Sequence, residues 1–152
     1  MGKGPGLIYA DSSFLVSLYL RDANSTTARN ELNVLATRIG LSSLARLEVK
    51  NAFRLAVFRE WITESQEARV QSLFDSDQQD GFLSPLPFTV EEIFSEAERL
   101  SKGHTACFGN RSLDVLHVAC ARVAGLDVFA SFDIRQRKLA KQTGFITIPR
   151  VQ

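Results

Sequence analysis

The stretch 128–148, VFASFDIRQRKLAKQTGFITI, decides the fold. Val128–Ser131 is an apolar run of strand length, Asp133 then opens a helix, and Phe145–Ile148 is a second apolar run. Strands separated by a helix cannot pair through a tight hairpin; the helix must cross a face of the sheet, which makes the two strands parallel. A further helix is expected just upstream, from about Arg111 to Ala124. The other end of the chain has the same rhythm. Leu7–Ala10 is short and apolar, and Phe14, Leu15, Leu18 and Tyr19 follow at helical spacing. A helix from about Ser25 to Arg38, a strand at Ile39–Leu41 and a third helix capped by Ser42 or Ser43 come next, with Leu44, Leu47, Asn51, Leu55 and Phe58 marking one face of that helix. The economical architecture is α/β, a mainly parallel sheet with helices on both faces.

The middle of the chain carries two helix starts. Thr63 with Gln66 and Thr89 with Glu92 have the spacing at which side chain and backbone satisfy each other's free donors. Between those helices Gly81–Leu86 is expected as a strand ended by Pro85 and Pro87, which cannot donate to a sheet. Lys102–Asn110, with its two glycines, reads as a loop.

At 152 residues, with 45% hydrophobic and 23% charged content, the chain is expected to form one domain over 7–152, preceded by a flexible glycine-rich leader at 1–6. No run is long and apolar enough to span a bilayer, and the N-terminus lacks the order of a secretory signal, so no membrane partner and a cytoplasmic location are expected. A formal charge of +1 falls short of the basic footprint of many duplex-DNA binders. Cys107 and Cys120 have no ligand or redox spacing and read as buried thiols.

Carboxylates carry the chemistry. In open α/β sheets ligands bind at the carboxyl ends of the strands, and Asp11 and Asp133 both fall at such ends. Either one alone reads first as a helix N-cap. Asp114 and Glu48 lie inside helical patterns, beside apolar residues, where an acid needs a partner or a cation. The plainer alternative is a local salt bridge, Asp114 with Arg111 or Glu48 with Arg46 or Lys50. If the four converge, two unit charges about 4 Å apart repel by roughly 4 kcal/mol at an effective dielectric near 20. A hard divalent cation, Mg²⁺ or Mn²⁺, would offset that, since no His/Cys set exists for a softer metal.

Four segments taken in order, IYADSSFLVSLYL (8–20), LARLEVKNAF (44–53), RSLDVLHVACA (111–121) and VFASFDIRQRKLAKQTGF (128–145), resemble the motifs of PIN-domain ribonucleases of the VapC toxin type. The resemblance implies a three-layer PIN-like fold and a Mg²⁺- or Mn²⁺-dependent endonuclease acting on single-stranded or structured RNA. Such proteins are often dimeric, and often toxins held by a small antitoxin. Carried over by position, Asp11, Glu48, Asp114 and Asp133 would form the acidic metal site, with Ser131 and either Ser12 or Ser13 as hydroxyl helpers. Residues 61–102 match nothing in the family pattern.

Other residues draw attention. Arg135, Arg137, Lys138 and Lys141 could hold RNA phosphates or form an ordinary solvated helix face. Phe53, Phe58 and Trp61 could stack on bases, although the two phenylalanines read first as core. His117, one turn after Asp114, could orient a ligand or simply pack, and His104 is expected in a loop. Two further functions compete with nuclease activity: a non-catalytic PIN scaffold binding RNA or a protein, and a phosphoacceptor in which Asp11 or Asp133 takes a phosphoryl group beside Lys138 or Lys141. The last would leave Glu48 and Asp114 idle.

Overall fold

The computed structural model describes residues 6–150, so most of the glycine-rich leader lies outside the described residues. Five strands, β1 (Leu7–Ala10), β2 (Arg38–Leu41), β3 (Leu83–Pro85), β4 (Val128–Ala130) and β5 (Ile146–Ile148), form one sheet in the order β3-β2-β1-β4-β5. Every pairing is parallel; Tyr9 lies opposite Gly40 on one side of β1 and opposite Phe129 on the other. The chain builds outward from β1 to β3, then returns to β1 and builds the other way. The fold is therefore the expected α/β arrangement, with its switch of direction between β1 and β4.

Seven helices lie among the described residues: α1 (Ser12–Tyr19), α2 (Ser25–Leu35), α3 (Ser43–Phe58), α4 (Glu64–Gln79), α5 (Val90–Phe108), α6 (Ser112–Val123) and α7 (Ile134–Gln142). Strand alternation divides them between two cores. Ile8 and Ala10 of β1 and Ile39 and Leu41 of β2 face a core filled by Phe14, Phe53 and Phe74 from α1, α3 and α4. Tyr9 and Phe129 face the opposite core, with Leu100, Val118, Leu139 and Phe145. Both capping boxes form, Thr63 with Gln66 and Thr89 with Glu92.

Four local expectations are corrected. The buried face of α3 is Ala45, Val49, Phe53 and Ala56, whereas Leu47 and Phe58 of the anticipated stripe are exposed, Phe58 to 83%. That face packs against α1 and α4, where the small Ala45 and Ala56 fit beside Phe53, and apolar size alone pointed to the wrong side. The helix α2 stops at Leu35, because Ala36 adopts a left-handed conformation with φ 46°. Residues 102–108, and His104 with them, belong to α5 and not to a loop: Gly103 is accommodated within the helix, and Gly109 ends it at φ 64°. That extension projects Cys107 into solvent, so only Cys120 is a buried thiol.

Among the described residues no helix is long and apolar enough to cross a membrane.

Candidate active site

The strand order places the carboxyl ends of β1 and β4 side by side, and the next residues of each strand meet there. The amide of Asp11 donates to the Ala130 carbonyl at 3.0 Å, which continues the β1/β4 ladder by one step. By strand alternation Asp11 follows Tyr9, and Ser131 follows Phe129, onto the same side of the sheet. Their side chains join: Ser131 Oγ donates to Asp11 Oδ2 at 2.6 Å. The other oxygen of Asp11 accepts from Ser13 Oγ at 2.7 Å and from the Phe14 amide at 3.0 Å, the latter as the N-cap of α1. Asp11 is fully buried, and that desolvation raises its pKa despite the opposing hydrogen bonds from Ser131, Ser13 and the Phe14 amide.

The other two aspartates attach to this pair through short links. Asp133 gives its amide to Ser131 Oγ at 2.9 Å, and its carboxylate caps α7 through the Gln136 amide at 3.0 Å. Gln136 then reaches across with Nε2 to Asp114 Oδ1 at 3.2 Å. Asp114, buried in the first turn of α6, also accepts from the Arg111 backbone amide at 3.0 Å. It thus binds the main chain of Arg111, not its guanidinium. Asp11, Ser131, Asp133, Gln136 and Asp114 therefore form one hydrogen-bonded series across the switch point.

Glu48 enters from α3. Neither Arg46 nor Lys50 pairs with it; Lys50 bridges to Asp75 at 2.9 Å instead. Its partner is Nε2 of His117, which is wholly buried on α6 one turn beyond Asp114. Glu48 also lines an open groove of about 500 Å³ with Ser12, Ser13, Asn51 and Phe132. Of the basic residues on α7, Arg135, Lys138 and Lys141 are exposed, whereas Arg137 turns inward to the carbonyls of Ser131 and Pro149 at 2.9 and 2.7 Å. Arg137 is thus a strut between β4 and β5, with its pKa lowered by burial. Trp61 is exposed with the Arg59 guanidinium 5.0 Å from its ring centre.

Two participants were invisible or undervalued as isolated residues. Gln136 had no motif to mark it, although its place three residues after a capping Asp predicts the amide contact. His117 read first as packing; the same i, i+3 spacing from Asp114 that was visible in sequence puts both on one face of α6.

The donor set is all oxygen, which suits a hard divalent cation. Buried Gln136 Oε1 has no hydrogen-bond partner, and Gln136 Nε2 faces Asp114, so turning the amide would not relieve it. An acceptor without a donor, next to carboxylates, fits a hydrated cation. In the present arrangement, however, no three of these acids stand close enough to share one ion among the described residues; each carboxylate is held by an internal donor.

The fold has known counterparts. VapC20 of Mycobacterium tuberculosis, described as a toxin that cleaves the sarcin-ricin loop, superimposes with a TM-score of 0.66 at 17% identity, over 91% of this chain and 96% of that one. VapBC2 of Rickettsia felis, solved with a fragment of promoter DNA, gives 0.65 at 14% identity over 93% and 97%. FitAcB of Neisseria gonorrhoeae gives 0.60 at 15% identity over 94% and 97%. At such identities the likeness is one of fold. No curated protein sequence matches the chain. The family model for the PIN domain matches residues 8–142, a span that contains the whole hydrogen-bonded acid series and Glu48. With the parallel sheet, its switch point and that match in agreement, this chain belongs to the PIN-domain family.

Proposed function

We propose that the chain is a divalent-metal-dependent endoribonuclease acting on single-stranded or structured RNA, the toxin of a toxin-antitoxin pair. The observation that carries this reading is the hydrogen-bonded series that links Asp11, Asp133 and Asp114, through Ser131 and Gln136, across the β1/β4 switch point of a PIN domain. Asp11, Glu48, Asp114 and Asp133 would hold Mg²⁺ or Mn²⁺, exchanging some of their present internal donors for the ion. When bound, the ion supplies charge against the phosphodiester's developing negative charge and lowers the pKa of a water for attack.

The chain's own groups do the rest. Ser131 and Ser13 fix the two oxygens of Asp11, so that this carboxylate is oriented before substrate arrives. The groove beside Glu48, with Ser12, Ser13 and Asn51 on its walls, would receive the nucleotide next to the scissile bond. Arg135 and Lys138, exposed on the helix capped by Asp133, would bind flanking phosphates. A covalent thiol mechanism is disfavoured: burial pushes Cys120 up to about 11, and a buried, protonated thiol is a poor nucleophile. A phosphoacceptor role for Asp11 is disfavoured as well, because both its oxygens are engaged and it has no exposed surface. A small antitoxin, a second copy of the chain and a cytoplasmic setting complete the proposal, as the resemblance to VapC-type toxins implies.

The internal donors on every acid support one alternative, a PIN scaffold that binds RNA or protein without cutting. A fluorophore-quencher single-stranded RNA separates the two. The enzyme reading expects signal with Mg²⁺ or Mn²⁺, none with EDTA, and none from Asp11→Asn or Asp114→Asn. Metal-independent signal, or signal retained by both variants, would sink it; silence from wild type with either metal would favour the scaffold.

A further inference from the structure

The polar core behind Glu48 contains more than packing requires. Tyr9, wholly buried on β1, lies between Ser42 at 2.8 Å and His117 Nδ1 at 2.6 Å from its hydroxyl oxygen. Ser42, at the end of β2, caps α3 by accepting the Ala45 amide at 3.0 Å. His117 Nε2 meets Glu48 Oε1. Four groups from two strands and two helices thus form one series that begins at a backbone amide and ends at a carboxylate, with the Cys120 thiol beside Ser42 and Tyr9.

Hydrogen-bond accounting gives that series a direction. A carboxylate only accepts, so Nε2 carries the proton; when the imidazole is neutral its one acceptor, Nδ1, receives the Tyr9 hydroxyl proton. The Tyr9 oxygen is free to accept from Ser42, whose own oxygen accepts from Ala45. Tyr9 is held in place by stacking on Phe129 at 5.3 Å. Burial raises its pKa well above the ordinary phenol value, so it keeps the proton it donates.

We infer that His117 is a positioning residue for Glu48, locked in its Nε2–H tautomer by Tyr9 and Ser42, so that α6 sets the spacing between Asp114 and Glu48. Its function rests on the metal-nuclease reading above. A buried imidazole needs a partner at each nitrogen, and a hydroxyl or carbonyl of the core would serve the second as Tyr9 serves the first. Its second nitrogen instead reaches out of the core to a half-buried acid on another helix, and that contact is the only side-chain hydrogen bond of Glu48 among the described residues. Asp114 is carried by α6 directly and Glu48 is gripped by it three residues later, so one rigid helix governs both carboxylates.

Two measurements on the full chain test this. Long-range ¹H–¹⁵N correlations of the imidazoles in EDTA, with His104→Gln to assign the only other histidine, should show His117 in one neutral tautomer protonated at Nε2. Calorimetric titration with Mn²⁺ should then show His117→Leu weakened by about tenfold or more, the loss typical of groups that orient ligands. His117→Gln, which keeps an N–H for Glu48, should recover most of that loss. Tyr9→Phe, which removes one oxygen and little volume, should mix the tautomers and weaken Mn²⁺ by less than His117→Leu. Melting in EDTA establishes that each variant is folded.

A wild-type imidazole protonated at Nδ1 overturns the inference, as does Mn²⁺ affinity unchanged in His117→Leu. Wild type that fails to bind Mn²⁺ overturns the metal reading instead, and the imidazole spectrum still decides the tautomer on its own.

Discussion

The two faces of the sheet are built on opposite terms. On the side of α1 to α4, Tyr19, Phe53 and Phe74 meet edge to face with ring centres 5.3 to 6.2 Å apart, and Phe53 and Phe74 are wholly buried. The side of α5 to α7 has aromatic packing too, Tyr9 on Phe129, but into it are set His117, Asp114 and Gln136, with Asp11 and Ser131 at its rim. A protein optimised only for stability would not bury two aspartates and a histidine beside one sheet. The first face supplies stability and the second holds groups at a stability cost, the usual division where a site needs fixed polar geometry. A single strand serves both, because alternate residues of β1 point to opposite sides.

Substitutions can break that comparison. The largest expected effect is on the dry face: Phe74→Ala should destabilise the chain by about 3–5 kcal/mol, read as a lower urea midpoint at unchanged slope. A loss below about 1 kcal/mol would mean that this aromatic cluster is not the main stabilising unit.

A smaller effect of opposite sign is expected on the polar face. Burial raises the folded-state pKa of Asp11, so the folded chain takes up that proton before the unfolded chain does. The contribution favours folding below the ordinary carboxylate range and is lost as pH rises through the raised value, leaving a buried charge at neutral pH. Asp11→Asn in EDTA should therefore gain about 0.5–2 kcal/mol at pH 7, with the gain shrinking as the wild type is acidified. A variant less stable than wild type at pH 7 would show that the three donors to Asp11 outweigh its desolvation.

The smallest effect concerns the outer rim of the same face, where Glu96 on α5 accepts from Arg99 and, at 2.8 Å, from Arg122 on α6. Hydrogen bonding from Arg99 comes first among the causes that lower the Glu96 pKa, so its contribution is present above the ordinary carboxylate range and fades as pH falls through the lowered value. Solvent screens this cluster, and Glu96→Gln should lower the melting temperature by about 2 °C or less at pH 7. A larger drop would mark the α5–α6 contact as electrostatically held.

Much of this was legible before any coordinates. Alternating strand and helix signals place Asp11 and Asp133 at strand ends, and local hydrogen-bonding rules produce the caps at Thr63 and Thr89. The expectation for α3 differs for a physical reason: Phe58 and Leu47 are large, whereas the face packed against α1 and α4 carries the small Ala45 and Ala56. The length of α5 was hidden by Gly103, which weakens a helix without ending it.

Sequence by itself determined the parallel sheet, the two strand-end aspartates and the i, i+3 placement of Asp114 and His117, because each follows from periodicity within a few residues of chain. Only the tertiary structure decided that Glu48 pairs with His117 and not with Arg46 or Lys50, that Gln136 spans to Asp114, and that Arg137 is a strut. Those partners lie on different elements, and which of several reachable donors a buried acid takes is fixed by how the helices pack, which no local pattern encodes.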